Sequence, residues 1–500
     1  MSLRFLCALL PVLLLAACGD GADVAAPAPE PEAPDLVLHD LDASGIVELQ
    51  DAGEASALAV VDAVTRDVRE RDGSHRAVLV LNAAAASAAS ALDARRAAEG
   101  LVGPLHGVPI MVKDNIETAD MPTTAGSLAL VGNRTNRDAP VVARLREAGA
   151  LIVGKTNLSE WANFRSERSS SGWSGVGGQT RNAVDPARSP CGSSSGSGVA
   201  VARGYVPLAL GTETNGSIVC PASVNGIVGF KPTIGAVPQA GIVPIAHSQD
   251  TAGPMARTVL DAALGHAVIA DLPVDAVLAE VRAGALAGAL AGMRLGVVRS
   301  ATGYHEGVDA VFEAVLADLE AAGAVLVDDL ALETPEGFGE DSYEVLLREF
   351  RTDLDAWFES LPEPAPVAGL AALIEFNRAH AERSMPFFRQ EIFERAAARG
   401  PLTEPGYAEA LARIRRVTRD EGIERLFAEH RLDALIAPTE GPAWSIDLVN
   451  GDHYLGGFST FPAIGGYPHL TVPMGTLHGL PLGLSLVGLR DRDVAVLALG

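Results

Sequence analysis

Apolar residues recur along this chain with two different periods, and the alternation between them outlines the fold. Residues 49–100 are Ala-rich and free of proline, with apolar positions such as Leu58, Val61 and Val64 three residues apart; that spacing predicts helices, and two fit the segment. Residues 101–112 turn to Gly, Pro and β-branched side chains, which predicts a loop entering a strand. Farther on, Val308, Val311, Phe312, Val315, Leu316 and Leu319 repeat at helical spacing between two strand-like runs, Met293-Arg294-Leu295-Gly296-Val297-Val298 and Ala324-Val325-Leu326-Val327. Strand, helix and strand in succession predict α/β layering. Residues 340–430 are mostly helical and charged, broken at 362–366, and predict a cap beside the sheet. Strand-like text returns at Ala434-Leu435-Ile436-Ala437-Pro438, at Leu470-Thr471-Val472-Pro473 and over residues 482–489, and residues 494–500 begin what reads as a helix. With no repeat and no second linker, residues 36–500 are expected to form one domain.

The first 35 residues follow another logic. Met1-Ser2-Leu3-Arg4 precedes an apolar run over residues 5–17, too short to cross a bilayer and laid out like an export signal. It ends Leu15-Ala16-Ala17-Cys18, which resembles the lipobox of bacterial lipoproteins, where the cysteine is lipidated and becomes the new N-terminus. The resemblance implies loss of residues 1–17, a lipid anchor on Cys18 and an exported, membrane-anchored lipoprotein facing the periplasm; a plain secretory signal is the alternative. Residues 18–35 alternate proline with small and acidic residues and bury too little to fold, so a disordered tether is expected. Extended, a segment of that length reaches up to about 50 Å.

Composition narrows the function. In 500 residues, 38 Lys and Arg stand against 63 Asp and Glu, a formal charge of −25 that repels phosphate backbones, so no nucleic acid partner is expected. Nothing matches His-Glu-x-x-His or Cys-x-x-Cys and the 11 histidines are scattered, so no bound metal is expected. No cofactor is expected either. Cys191 and Cys220 remain after the leader, and spacing leaves their pairing open.

Candidate chemistry gathers around Cys191-Gly192-Ser193-Ser194-Ser195-Gly196-Ser197-Gly198. Read alone it is a linker, yet it runs directly into core text, Val199-Ala200-Val201-Ala202 and then Pro207-Leu208-Ala209-Leu210. Irregular backbone within a core needs its polar groups satisfied, which argues for a task. Gly192-Ser193-Ser194-Ser195-Gly196 also matches the Gly-x-Ser-x-Gly elbow with Ser194 as nucleophile, but that motif requires a strand before it, and residues 181–190 are polar and turn-like.

More of the chain enters a different pattern. Pro104-Leu105-His106-Gly107-Val108-Pro109-Ile110-Met111-Val112-Lys113-Asp114-Asn115, then Ser189-Pro190-Cys191-Gly192-Ser193-Ser194-Ser195-Gly196-Ser197, Gly211-Thr212-Glu213-Thr214-Asn215-Gly216-Ser217-Ile218 and Gly229-Phe230-Lys231-Pro232-Thr233 resemble, in order and spacing, the amidase signature family. Within it, Ser171-Gly172-Trp173-Ser174, Gly178-Gln179-Thr180-Arg181-Asn182 and Gly441-Pro442-Ala443-Trp444 look most like bacterial peptide amidases. The resemblance implies a single large α/β domain whose central mixed sheet is covered by helices. It implies Ser217 as nucleophile, Ser193 as bridging serine behind a cis Gly192-Ser193 peptide, and Lys113 as base, with the backbone amides of Thr214, Asn215, Gly216 and Ser217 as oxyanion hole.

The residue types suit that chemistry. A serine needs its proton taken, and lysine can take it only as the neutral amine, which burial among residues such as Val108 and Val112 would favour. Otherwise Lys113 is a surface lysine and Ser193 a helix cap near Val199. Asn215 departs from the commoner glycine; asparagine tolerates a left-handed backbone, so the hole is expected to survive. Asp250 and Arg181 are candidate braces for this loop, and Trp161, Gln179 and Trp444 are candidates for pocket lining or, equally, for core. The implied reaction is hydrolysis of a carboxamide, with C-terminal peptide amides as substrate and a broad acylamide, aryl amide or ester hydrolase as the alternative. Transamidating relatives acting on charged transfer RNA fit an exported acidic chain badly, and intact triad positions speak against a catalytically dead binding protein.

Overall fold

The computed structural model describes residues 36–361 and 367–500. The predicted signal segment, the tether and the break at 362–366 lie outside the described residues.

Thirteen strands follow one another along the described chain: β1 Val78–Leu81, β2 Pro109–Lys113, β3 Leu151–Thr156, β4 Trp173–Ser174, β5 Gly178–Gln179, β6 Leu208–Glu213, β7 Val228–Lys231, β8 Thr251–Ala256, β9 Arg294–Val298, β10 Val325–Leu330, β11 Ala434–Pro438, β12 His469–Leu477 and β13 Leu480–Val487. Eleven form one sheet in the order β1-β3-β2-β6-β8-β7-β12-β13-β11-β9-β10, and β4 and β5 make a separate two-stranded ribbon. The sheet is mixed. β3, β2 and β6 run parallel at one end, as do β11, β9 and β10 at the other, while β8, β7, β12 and β13 join them through antiparallel pairs. Residues Leu36–Gly500 form one compact unit.

The helical stripe read between the two strand-like runs is the helix Glu306–Ala321, joining parallel β9 and β10 as a crossover, with Val308, Phe312 and Leu316 buried. Residues 49–100 depart from the two-helix expectation. They hold the end of Ala43–Asp51, the helices Ala57–Arg71 and Ala85–Glu99, and between these the edge strand β1. Four residues, Val78-Leu79-Val80-Leu81, are too short to show a period. The strand is launched by a tertiary detail: the Asp72 carboxylate accepts from Ala77 N (2.9 Å) and Val78 N (3.1 Å). That carboxyl is largely buried, and desolvation raises its pKa to about 6 against those two bonds.

Residues 340–430 are helical as expected, chiefly Phe338–Ser360, Leu370–Ala379, Glu391–Ala397 and Pro405–Thr418. Phe350, Leu354, Trp357, Leu373 and Phe393 pack there against Ala125, Leu130, Trp161 and Phe164 from the loops after β2 and β3. Among the described residues no helix is long and apolar enough to cross a membrane.

Candidate active site

β2 is buried at every position and lies between β3 and β6, both parallel to it. The C-terminal ends of β2 and β6 therefore point the same way, where loops leaving parallel strands commonly build binding sites. Lys113 is the last residue of β2, and the loop carrying Ser217 begins where β6 ends at Glu213.

Lys113 is fully buried, not the surface lysine its type would suggest. Its Nζ lies 2.7 Å from Ser193 Oγ, 2.8 Å from Thr212 Oγ1 and 3.1 Å from Thr212 O. Desolvation lowers its pKa to about 7, with Asp250 and Glu213 pulling the other way. Asp250 is itself raised to about 7 by burial, so near neutral pH it supports the ammonium only in part.

A neutral amine has two N–H donors and one lone pair. Thr212 O can only accept, and Thr212 Oγ1, already taking Asn115 Nδ2 at 2.9 Å, has a second lone pair for the other N–H. That arrangement leaves the lysine lone pair facing the Ser193 hydroxyl.

Two other lysines are equally buried, and their partners differ. Lys155 Nζ lies 3.3 Å from Asp114 Oδ1 and donates to Ile116 O (2.7 Å), Pro122 O (3.1 Å) and Thr123 Oγ1 (3.0 Å). Lys231 Nζ donates to Tyr467 O (2.6 Å) and Pro232 O (3.1 Å), and burial lowers its pKa to about 8. Of the three, Lys113 alone meets a serine hydroxyl.

Ser193 is buried and its carbonyl accepts from Ser159 N at 3.1 Å. The Gly192-Ser193 peptide is cis, as the resemblance implies. A Cβ on Gly192 would collide with Ser159 Oγ, which accepts from Gly172 N at 2.8 Å, so a larger residue there would disturb that bond. Ser193 caps nothing. The helix Ser195–Ala202 begins after Ser194 with no side-chain cap bond.

Ser194, the serine of the elbow reading, is spent on structure. Its buried hydroxyl donates to Thr212 O at 3.0 Å and accepts from Thr212 N at 3.2 Å, tying this segment to β6. No strand precedes it between residues 181 and 193. Ser194→Ala should cost about 1–2 kcal/mol of stability for the lost bonds, measured by denaturant unfolding, while a fluorophosphonate still labels Ser217. Loss of that label in a folded Ser194→Ala protein would revive the elbow reading.

Ser217 is 8% exposed. Its carbonyl accepts from Ser194 N at 3.1 Å, which brings the two serine-bearing segments side by side. Its own hydroxyl has no hydrogen-bond partner among the described residues, so Lys113 and Ser193 are bonded directly whereas Ser217 joins them through the backbone. Cys191 and Cys220 form a disulfide, settling the open pairing and linking the same two segments covalently.

The turn before Ser217 is shaped by Glu213, whose Oε2 accepts from Ile218 N (2.7 Å) and Val219 N (3.1 Å). The N–H groups of Asn215, Gly216 and Ser217 donate to no protein group among the described residues. The left-handed position is Gly216 (φ 80°), and Asn215 is not in that region, so its tolerance for such a backbone is not used. Asn215 instead reaches across the cavity mouth: Ser459 Oγ donates to its Oδ1 (2.7 Å) and its Nδ2 lies 3.3 Å from Thr460 Oγ1. Asp250 braces the loop by accepting from Thr214 Oγ1 at 2.6 Å. Arg181 does not; it is exposed and donates to Pro186 O at 2.8 Å.

Beside these residues lies a cavity of about 320 Å³, lined by Gly192, Gly216, Asn215, the cystine, Trp444, Ser171 and others. Of the three candidate lining residues only Trp444 borders it. Trp161 is in the cap core, edge-on to Phe393 with centroids 5.7 Å apart, and Gln179 Nε2 braces Ser171 O (2.7 Å) and Thr180 O (2.8 Å). Sequence reasoning misses Glu440 and Asp452, which also line it. Glu440 stands within reach, between Pro438-Thr439 and Gly441-Pro442-Ala443-Trp444, but nothing in the string says that an acid there is buried.

This mixed sheet, with a buried lysine amine bonded to one serine hydroxyl and a second serine held alongside through the backbone, is the scaffold of an amide hydrolase. A sequence model of the family described as Amidase matches residues 59–497, and the chain belongs to that family, whose amidase signature enzymes hydrolyse amides. The structure of a peptide amidase from Stenotrophomonas maltophilia is similar, with a TM-score of 0.86 at 42% identity, covering 92% of this chain and 95% of that one. A peptide amidase bound to the competitive inhibitor chymostatin gives 0.87 at 43% identity, covering 92% and 96%. A glutamyl-tRNA(Gln) amidotransferase subunit from Symbiobacterium thermophilum is 38% identical over 464 residues, covering 89% of this chain and 92% of its own.

Proposed function

We propose that this amidase removes the amide from C-terminally amidated peptides through an acyl-enzyme on Ser217, with Ser193 and Lys113 completing a Ser-cisSer-Lys triad. The observation that carries the reading is the 2.7 Å bond between a fully buried Lys113 Nζ and Ser193 Oγ. Lys113 takes the Ser193 proton as Ser193 takes that of Ser217, and Ser217 Oγ adds to the carboxamide carbon. The oxygen that gains charge is met by the unengaged N–H groups of residues 215–217, with Thr214 held in place by Asp250. Collapse breaks the C–N bond, and the proton held by Lys113 returns through Ser193 to the departing nitrogen, releasing ammonia. Water then repeats the sequence on the ester, freeing the carboxylate and Ser217.

Peptide amides are favoured because peptide amidases share this architecture at 42–43% identity across most of the chain. Ammonia release over peptide amides, aryl amides, free amino-acid amides and esters tests this. Peptide amides should show kcat/KM at least about tenfold above the rest; equal rates across the panel would make it a broad acylamide hydrolase. Residues 1–18 further support an exported form anchored by a lipid on Cys18. Cys18→Ser should move the protein from the membrane to the soluble fraction.

A further inference from the structure

The cavity beside Ser217 is acidic. Among the described residues its lining includes Glu440 and Asp452 and no lysine or arginine. Asp452 is engaged, accepting from Ser171 N (3.1 Å to each oxygen) and from Trp444 Nε1 (3.0 Å).

Glu440 is different. It is 2% exposed, its backbone is pinned by an antiparallel bridge to Gly457, and its Oε2 is buried with no hydrogen-bond partner. The Tyr454 hydroxyl lies near the carboxyl, the Tyr304 hydroxyl beside it is also buried and unpartnered, and Glu213 adds a like charge. Among the described residues no basic group faces it. A buried carboxyl oxygen without a donor is costly unless something supplies one. Burial and Glu213 hold Glu440 well above the usual carboxylate range, so these surroundings favour the neutral acid, and an incoming cation would restore its charge.

We propose that Glu440 is a specificity residue whose carboxylate receives a cationic N–H group, an ammonium or a guanidinium, carried on the acyl portion of the amide substrate. The proposal rests on the amidase reading above: if ammonia leaves, any charge that selects the substrate must sit on the acyl side. An anionic acyl group would meet two carboxyls and no compensating base, and should be refused.

The test is kcat/KM at pH 7 for four amides: glycyl-norleucinamide, with a free α-ammonium; N-acetyl-lysinamide, with a side-chain ammonium; neutral N-acetyl-norleucinamide; and the α-amide of N-acetyl-glutamate. At least one cationic amide should exceed the neutral one by about tenfold, the scale of a charged hydrogen bond, and the anionic one should fall below it. Which cation leads identifies the α-amine or the side chain as the group received. Glu440→Gln should bring the cationic-to-neutral ratio to within about twofold of one. A neutral amide equal to or better than both cations overturns the proposal, as does a preference that survives Glu440→Gln. Should that variant fail to fold, wild-type turnover of the neutral amide should be inhibited by n-butylammonium and not by n-butyrate; equal inhibition overturns the proposal too. Failure of the amidase reading looks different, since wild-type protein would then hydrolyse none of the four.

Discussion

Ser217→Ala is expected to lower ammonia release by at least about 10⁴-fold while leaving the fold intact, because the removed hydroxyl has no structural partner among the described residues. Loss of a hydroxyl with no partner removes the bond-forming atom and little else, in contrast to Ser194, whose hydroxyl is bonded twice to Thr212. Covalent capture gives an independent reading: a fluorophosphonate should add its phosphorus to Ser217 Oγ in the wild type and leave the variant unmodified. An adduct found on another serine, or turnover persisting in Ser217→Ala, would remove the nucleophile from the proposed reaction.

The second large effect belongs to Lys113. With its pKa lowered to about 7, the amine is mostly protonated below that pH and cannot accept the Ser193 proton. Log kcat/KM should therefore fall with unit slope as pH drops below about 7 and level off above it. Lys113→Met keeps a similar unbranched volume in the core and removes the base. It should lose about 10³-fold or more near neutrality, retain a small activity that climbs with hydroxide, and show no inflection near pH 7. A folded Lys113→Met protein with the wild-type profile would sink the assignment of the base. The fully buried Lys231 makes a useful control, since its bonds run to two backbone carbonyls and its substitution should leave the inflection in place.

The three residues of the proposed triad are legible in the amino-acid string through the resemblance of the blocks that carry them, in order and spacing, to the amidase signature family. Val112-Lys113-Asp114-Asn115 ends a buried strand, and the Gly/Ser run at 192–198 lies where core text should continue. The α/β alternation is legible as well, since the helix Glu306–Ala321 and its flanking strands follow from local periodicity. Other features leave no local trace. β1 is four residues long and exists because β3 offers it an edge and Asp72 satisfies its entry. Trp161 reads equally as pocket lining or as core, and the cap gives it a core to enter. Asn215 reads as a left-handed position, and Gly216 takes that conformation instead.

The strings themselves determine which groups are available: a lysine after an apolar strand, serines at 193 and 217, and an acidic chain with no metal-binding motif. Only the tertiary structure decides which hydroxyl the amine reaches, that Cys191 meets Cys220, and that Glu440 and Asp452, more than 200 residues beyond Gly216, line the same cavity as it does. The reason is physical. Residue type and periodicity act over a few neighbours along the chain, whereas desolvation, hydrogen-bond partnership and cavity shape depend on what the eleven-stranded sheet carries in from far along it.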